Sequence, residues 1–459
     1  MSSETSWRAR PPSSTSPANE RTSLSDGPFR GRYYYRGRGA PTRGRPSVPR
    51  IPGKNILQGL YPSTIQAIEK PSDVPGSDDI VIDDVQYVGS YSWTESQEPT
   101  ILVPGSPRLW RTDLTFPFSV PPDKGITFVY QNGHRCPESP LLPLFIAADT
   151  LARDGCTPVE WTTVDIVTDR NNLRKLWAFV EIPEPSDFRI DLELAGPWTL
   201  LMQRWEERTA ETNGEHSRAG FGDEFEKRCT SAAPECERGV FAGHHRVISY
   251  DMSGLRLIVR CEVDAYLSTA DDVTGDKHEE PSDQPETSKP EDALASALES
   301  LSLSSTSTSS HSTPTPVPQP SQVHGLTVIK AGSIIPQSSL TKVKSRSQQS
   351  MAALRWYEVY PQLLLGQTMH CMMGVHSRGT FAEVRHFEID APELEDVARS
   401  VQPGLRKLRA LLEEIQQAAM ACGAAAKLSL VCRERRLVLL RRTSAASLLP
   451  PDILRRFDA

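Results

Sequence analysis

"IVRCEVDAYL", residues 258–267, decides how the rest of the chain is read. Leu257, Val259, Cys261, Val263 and Ala265 are apolar, whereas Arg260, Glu262 and Asp264 are charged. That alternation predicts a strand, because successive side chains on a strand point to opposite faces. Glu262 and Asp264 then share a face, about 7 Å apart along the strand. Like charges so placed repel, and something must offset the repulsion. Mg2+ or Mn2+ prefers carboxylate oxygens and would do so. The plain alternative is an exposed strand on which Arg260 and another base neutralise the acids. Glu-x-Asp by itself is too common a pattern to choose between the two.

Composition bounds the rest. The chain has 459 residues, enough for two or three average domains if all of it packed. Its 38 prolines and 38% hydrophobic content point instead to a folded part with long disordered pieces. A formal net charge of −7 excludes a uniformly basic nucleic-acid binder. The 8 cysteines show no CxxC pair and no metal-ligand spacing, which predicts free thiols in a reducing compartment. No apolar run approaches the roughly 18 residues of a membrane span. The expectation is a soluble protein of the nucleus, with the cytoplasm as a second location, and no membrane partner.

Charge is unevenly placed. Residues 1–52 carry 10 arginines against the acids Glu4, Glu20 and Asp26, a local balance of +7. The stretch "PFRGRYYYRGRGAPTRGRPSVPR" suits a disordered Arg/Gly-rich tail whose guanidinium groups meet phosphates and whose tyrosines stack on unpaired bases. A solubilising tail or import signal fits it equally well. Residues 268–323 carry 10 acids against 2 lysines, a balance of −8, in a Ser/Pro-rich context that cannot build a core. The remainder of 53–459 reads as one mixed α/β domain with this disordered acidic insert between two strands. Loop closure costs grow only logarithmically with length, so such an insert is tolerable.

Within that domain several elements are legible. "SPLLPLFIAADTLA" (139–152) and "NNLRKLWAFV" (171–180) predict helices, the second with Asn171 or Asn172 as N-cap. "DFRIDLEL" and "WTLLMQRWEE" alternate like an antiparallel pair. "SMAALRWYEVYPQLLLGQT" is helical in pattern, with a kink or split expected at Pro361. "HCMMGVHSRGTFAEVRHFEI" and "KLSLVCRERRLVLLRR" predict hairpins, and "PGLRKLRALLEEIQQAAMA" a strong helix between Pro403 and Gly423.

Other segments bear on the paired acids. "GDEFEK" (222–227), taken as a second acidic strand, offers Glu226. "VDIVTDRNNLRKL" places Arg170 at a strand-to-helix junction, near Lys175. "SLTKVKSRS" puts Lys342, Lys344 and Arg346 on one strand face, and "YPQLLL" puts Gln362 on the following helix. Acidic elements, a lysine strand and a helix glutamine are the working parts of a metal-dependent phosphodiesterase. His244 and His245 precede the acidic strand, and adjacent strand residues point to opposite faces, so at most one would reach a site there.

In this order the segments resemble the eukaryotic decapping and exoribonuclease family of the DXO type, which removes incomplete or aberrant 5′ caps from RNA. "YVGSYSW" resembles its Glu-Ile-Gly-Ser-Phe-Ser strand, and "VTDRNNLRKL" its Trp-Arg-Gly-x-Leu-x-Lys motif with Arg170 as the arginine. "GDEFE" is similar to Gly-Tyr-Lys-Phe-Glu at Glu226, and "CEVDA" to Glu-Val-Asp at Glu262 and Asp264. "RWYEVYPQLLLG" resembles the Trp-Trp-x-Gln-x-x-Leu-x-Gly helix at Gln362, and "SLTKVKSRS" falls where the family has Val-Glu-Leu-Lys-Thr. The resemblance spans roughly residues 85–442 discontinuously; each motif is weak alone and six in order are stronger.

The resemblance implies a central mixed sheet flanked by helices, with a core related to the PD-(D/E)xK nucleases. It implies divalent ions (Mg or Mn) held by Glu226, Glu262 and Asp264, with Lys344 orienting a nucleophilic water. Arg170, Gln362 and Lys175 would bind the RNA backbone or 5′ phosphate. The implied activity is metal-dependent hydrolysis at RNA 5′ ends, by removal of non-canonical caps or pyrophosphate and continuing 5′–3′ exoribonuclease action. One departure is chemical: Lys342 stands where the family has a metal-binding Glu, and an ammonium cannot ligate a cation. Two alternatives therefore stay open. One is a catalytically impaired relative that binds RNA 5′ ends or a partner 5′–3′ exoribonuclease; the other is a PD-(D/E)xK-like nuclease acting on DNA.

Overall fold

The computed structural model describes residues 53–73, 78–213, 220–233, 241–268 and 320–458. The Arg/Gly-rich tail and nearly all of the acidic insert lie outside them. The described chain resumes at Pro320, and Ser321–Val323 already form a strand paired with Leu326–Ala331, inside the boundary set at residue 323.

Two sheets organise the molecule, one of twelve strands and one of seven. The acidic strand, Arg256–Val263, lies inside the large sheet, parallel to Ile166–Asp169 and antiparallel to Phe241–Met252. Leu257 and Val259 face the core cluster formed with the helices Arg170–Glu181 and Gln402–Cys422. Ile258 faces a second cluster built on the helix Leu142–Arg153. Both faces of the sheet are thus covered, and strands buried on both faces are apolar throughout or must satisfy every charge internally.

The alternation at 257–265 therefore predicts the strand but not what surrounds it. Arg260 does not neutralise Glu262 or Asp264 on an exposed face. It is buried, and its Nε donates to Asp169 Oδ1 at 2.7 Å and its Nη2 to Asp169 Oδ2 at 3.0 Å. Its Nη1 donates to the Pro140 carbonyl at 2.7 Å.

After Val263 the chain leaves the large sheet, and Ala265–Tyr266 joins the small one between Arg108–Trp110 and the lysine strand Leu340–Ser347. Asp264 occupies the crossing point. The lysine strand runs parallel to His370–Ser377, which turns through Arg378 and Gly379 into Thr380–Glu388. The other expected hairpin, Lys427–Arg433 with Arg436–Arg442, closes through Glu434 and Arg435, both at positive φ as a two-residue primed turn requires.

Helices form where periodicity places them, with differences at their ends. Gln402–Cys422 buries Leu405, Leu408, Leu411, Leu412 and Ile415 as one apolar stripe and stops at Gly423, φ +83°. Asp169, not Asn171 or Asn172, holds the N-cap position of the helix Arg170–Glu181, and it makes no side-chain cap because its carboxylate is taken by Arg260. Asn172 instead donates to the Met202 carbonyl at 2.9 Å, tying the helix to the sheet. Pro361 sits inside the helix Trp356–Leu364. The split falls earlier, between Met351 and Trp356. The carbonyl that loses its donor belongs to Tyr357, an exposed residue where water can take over.

Candidate functional site

"GDEFEK" forms a helix, Gly222–Cys229, not a strand. Its sequence has no two-residue alternation, and its charges suit a helix dipole: Asp223 and Glu224 open it, Lys227 and Arg228 close it. The Asp123 carboxylate accepts from the backbone N–H groups of Gly222 and Glu224, both at 3.1 Å. Phe225 is fully buried, stacked on Phe381 with centroids 4.3 Å apart, and reaches the backbone of Gly374. A Cβ at Gly374 would lie 2.3 Å from the Phe225 ring, so only glycine permits this approach. The wedge fixes the helix, and with it the direction of Glu226.

Glu226, Asp264, Glu262 and Lys342 converge. Burial, then the Asp264 charge, hold the Glu226 carboxyl well above the usual carboxylate range; Lys342 pulls it back and Glu262 pushes it up again. Asp264 is buried at the crossing between the sheets. Its Oδ2 accepts from the Val343 N–H at 2.8 Å, and its Oδ1 accepts from the Lys342 ammonium. Glu262 is exposed at the rim. Three carboxylates cannot all ionise cheaply beside one another, and carboxylate oxygens are what a divalent cation takes, but as they stand their ligand atoms do not all lie within reach of a single ion.

Beyond this cluster the lysine strand continues to Lys344. Burial, reinforced by Lys342, lowers its ammonium to about 7. Lys344 Nζ donates to Gln362 Oε1 at 3.2 Å, and Gln362 Nε2 donates to the Glu358 carbonyl at 2.7 Å. The helix of Gln362 ends near Gly366, where a Cβ would meet Arg170 Cδ at 2.9 Å. Arg170 is buried at the first turn of its helix, and its Nη1 has no hydrogen-bond partner among the described residues. An orphaned guanidinium nitrogen is a ready donor to a phosphate or carboxylate oxygen.

Lys175 does not join them. Its ammonium donates to Glu206 Oε1 at 2.9 Å and to the Trp205 carbonyl at 3.1 Å, so it is committed to an internal pair. The two histidines are core residues. His244 contacts Ser92 Oγ at 3.0 Å, and burial pushes its ring well below the usual range. His245 stacks on Tyr91 at 5.0 Å and contacts Asn132, and burial lowers it to about 4.

Two residues escaped the sequence reading. Arg108, on the three-residue strand Arg108–Trp110, donates from Nε to Thr230 Oγ1 at 2.6 Å, and its charge acts on Glu226. A strand that short carries no periodic signal. Arg174 acts on Lys344; its place one helical turn after Arg170 was a signal that could have been used.

Residues 63–441 match a family model described as a domain of unknown function, DUF8563. No curated protein matches the chain. Among solved structures, Candida albicans Rai1 in complex with pU5-Mn2+ has a TM-score of 0.50 at 10% identity, covering 85% of this chain and 98% of the Rai1 chain. Scheffersomyces stipitis Rai1 in complex with (3'-NADP)+ and calcium ion has a TM-score of 0.50 at 10% identity, covering 82% and 93%. S. pombe Rai1 has 14% identity and a TM-score of 0.49, covering 80% and 97%. The first two likenesses show the fold: mixed sheets flanked by helices, arranged as in Rai1. The match over residues 63–441 places the chain in the DUF8563 family, and its fold is that of the Rai1 structures.

Proposed function

We propose that the protein is a metal-dependent hydrolase acting on RNA 5′ ends, removing non-canonical caps or pyrophosphate. The observation that carries this reading is the continuous run from Glu226, Glu262 and Asp264 through Lys342 and Lys344 to the unpartnered Nη1 of Arg170. Support comes from the Candida albicans Rai1 structure, whose ligands are pU5 and Mn2+. Glu226, Glu262 and Asp264, drawn closer together, would hold Mg2+ or Mn2+, which would supply electrophilic charge to the phosphoryl oxygens. Lys342 adds a fixed positive charge beside them. Lys344 exchanges a proton near neutral pH, held in place by Gln362. Arg170 grips the 5′ phosphate. A 5′–3′ exoribonuclease partner and a nuclear setting belong to the same reading.

A second reading has its own observation. The Lys342 ammonium already occupies one Asp264 oxygen, which favours a relative that binds 5′ ends and cleaves them slowly or not at all. One assay separates the two. The full chain is given capped, triphosphorylated and monophosphorylated RNA and single-stranded DNA, with Mn2+ or Mg2+. Release of cap or pyrophosphate, abolished by Asp264→Asn, supports the hydrolase. Binding without turnover, with turnover gained by Lys342→Glu, supports the weakened relative. Preference for DNA overturns both.

A further inference from the structure

The outer hairpin, His370–Ser377 with Thr380–Glu388, carries a cluster that the acidic crossing does not use. In its register His370 faces Glu388 and Met372 faces His386. Directly paired residues share a face, and so do residues two apart on a strand. His370, His386 and Glu388 therefore stand together on one face. Lys342 is paired with Cys371, so the lysines stand on the opposite face of the same sheet. The sheet itself separates the cluster from the lysines, whereas the helix of Glu226 packs on the cluster's own face, through Phe225 against Met372.

The donor atoms are close. His370 Nδ1 lies 3.1 Å from His386 Nε2. Glu388 Oε1 lies 3.8 Å from the first and 3.9 Å from the second. A tetrahedral zinc ion with ligands at about 2.1 Å keeps those ligands roughly 3.4 Å apart. The triangle of donor atoms has the size of one face of that tetrahedron. We propose that His370, His386 and Glu388 bind a zinc-type transition-metal ion on the outer face of this hairpin, with the fourth position open to solvent.

The chemistry of the set points to the metal class. Two imidazole nitrogens and one carboxylate select Zn2+ and its neighbours in the first transition row over Mg2+, which takes oxygen ligands. The side chains are 18%, 40% and 51% exposed for His370, His386 and Glu388, so an ion can enter from solvent and keep a water or a substrate group. The bound ion would clip the two strands together across their open end. This site stands whether or not the acidic crossing is catalytic.

Co2+ absorbance titration of the full chain tests it, with Zn2+ displacement and a large excess of Mg2+ as controls. One equivalent of Co2+ should give tetrahedral or five-coordinate ligand-field bands without a thiolate charge-transfer band. Zn2+ should displace it, and Mg2+ should not. Asp264→Asn should leave these bands unchanged, whereas His386→Gln should weaken Co2+ binding at least tenfold. Thermal unfolding should rise with Zn2+ in the unaltered chain and not in His370→Asn. Bands that persist in His386→Gln, bands carried by thiolates, or no Zn2+-displaceable binding at all would overturn the proposal.

Discussion

Arg260 and Asp264 lie four residues apart, and each forms an ion pair, but the two pairs do opposite things. Arg260 is fully buried against Asp169 and also donates to Tyr91, Tyr130 and the Pro140 carbonyl. Each nitrogen of its guanidinium has an acceptor. Asp264 meets Lys342 among two further carboxylates, one of which, Glu226, is pushed well above the usual carboxylate range by burial and then by Asp264. The first pair is a closed account of hydrogen bonds and holds the sheet together. The second is over-supplied with charge of both signs, an arrangement that stability alone does not require.

The largest effect should follow from breaking the closed pair. Arg260→Met strands Asp169 in the core, and the midpoint of urea unfolding should report a loss of about 3–5 kcal/mol. The double variant with Asp169→Asn should recover part of it. Asp264→Asn should act the other way round: turnover on RNA 5′ ends should fall on the order of 100-fold, about 2.7 kcal/mol in the barrier. Its stability should change less than that of Arg260→Met, because relief of the crowding on Glu226 offsets the lost Lys342 contact.

Gly374→Ala sharpens the contrast from a distance. It drives Phe225 off the hairpin and tilts the helix of Glu226, without touching Arg260. We expect a loss of about 1–3 kcal/mol by denaturation and a fall in turnover at unchanged RNA affinity. The smallest effect, taken per pH unit, concerns Lys344. Its folded pKa of about 7 lies below its ordinary value of 10.5, so between these the unfolded chain holds the proton and the folded chain does not. Stability then rises with pH through that window, by up to about 1.4 kcal/mol per pH unit. Below pH 7 the folded chain also carries the buried charge, and the cost is paid in full. In Lys344→Met the pH dependence of unfolding should be flatter by this amount; equal slopes would place Lys344 in solvent.

The candidate site was partly legible. Glu262 and Asp264 announced themselves as like charges on a strand, and Lys342 and Lys344 as alternating bases on another. Glu226 was found through a motif while its element was misread, because five residues with one aromatic carry neither a two-residue nor a 3.6-residue period. Lys175 was placed with Arg170 by proximity in sequence. It lies five residues on, well round the helix from Arg170, and its ammonium reaches Glu206. Arg108 was invisible, since its strand is three residues long and its role comes from a neighbour in the small sheet.

What the sequence by itself determined is local: a strand through residues 257–263, the long helix before Gly423, the two hairpins, and the types of charge on each. These follow from side-chain period and backbone freedom, which act over a few residues. What the tertiary structure decided is which charges meet. Arg260 finds Asp169 from 91 positions away, and Lys342 finds Asp264 from 78. Burial of both sheet faces turned an apparently exposed arginine into a core residue. Such pairings depend on how sheets stack and cross, because the cost of burying a charge is set by the groups packed around it and not by its neighbours along the chain.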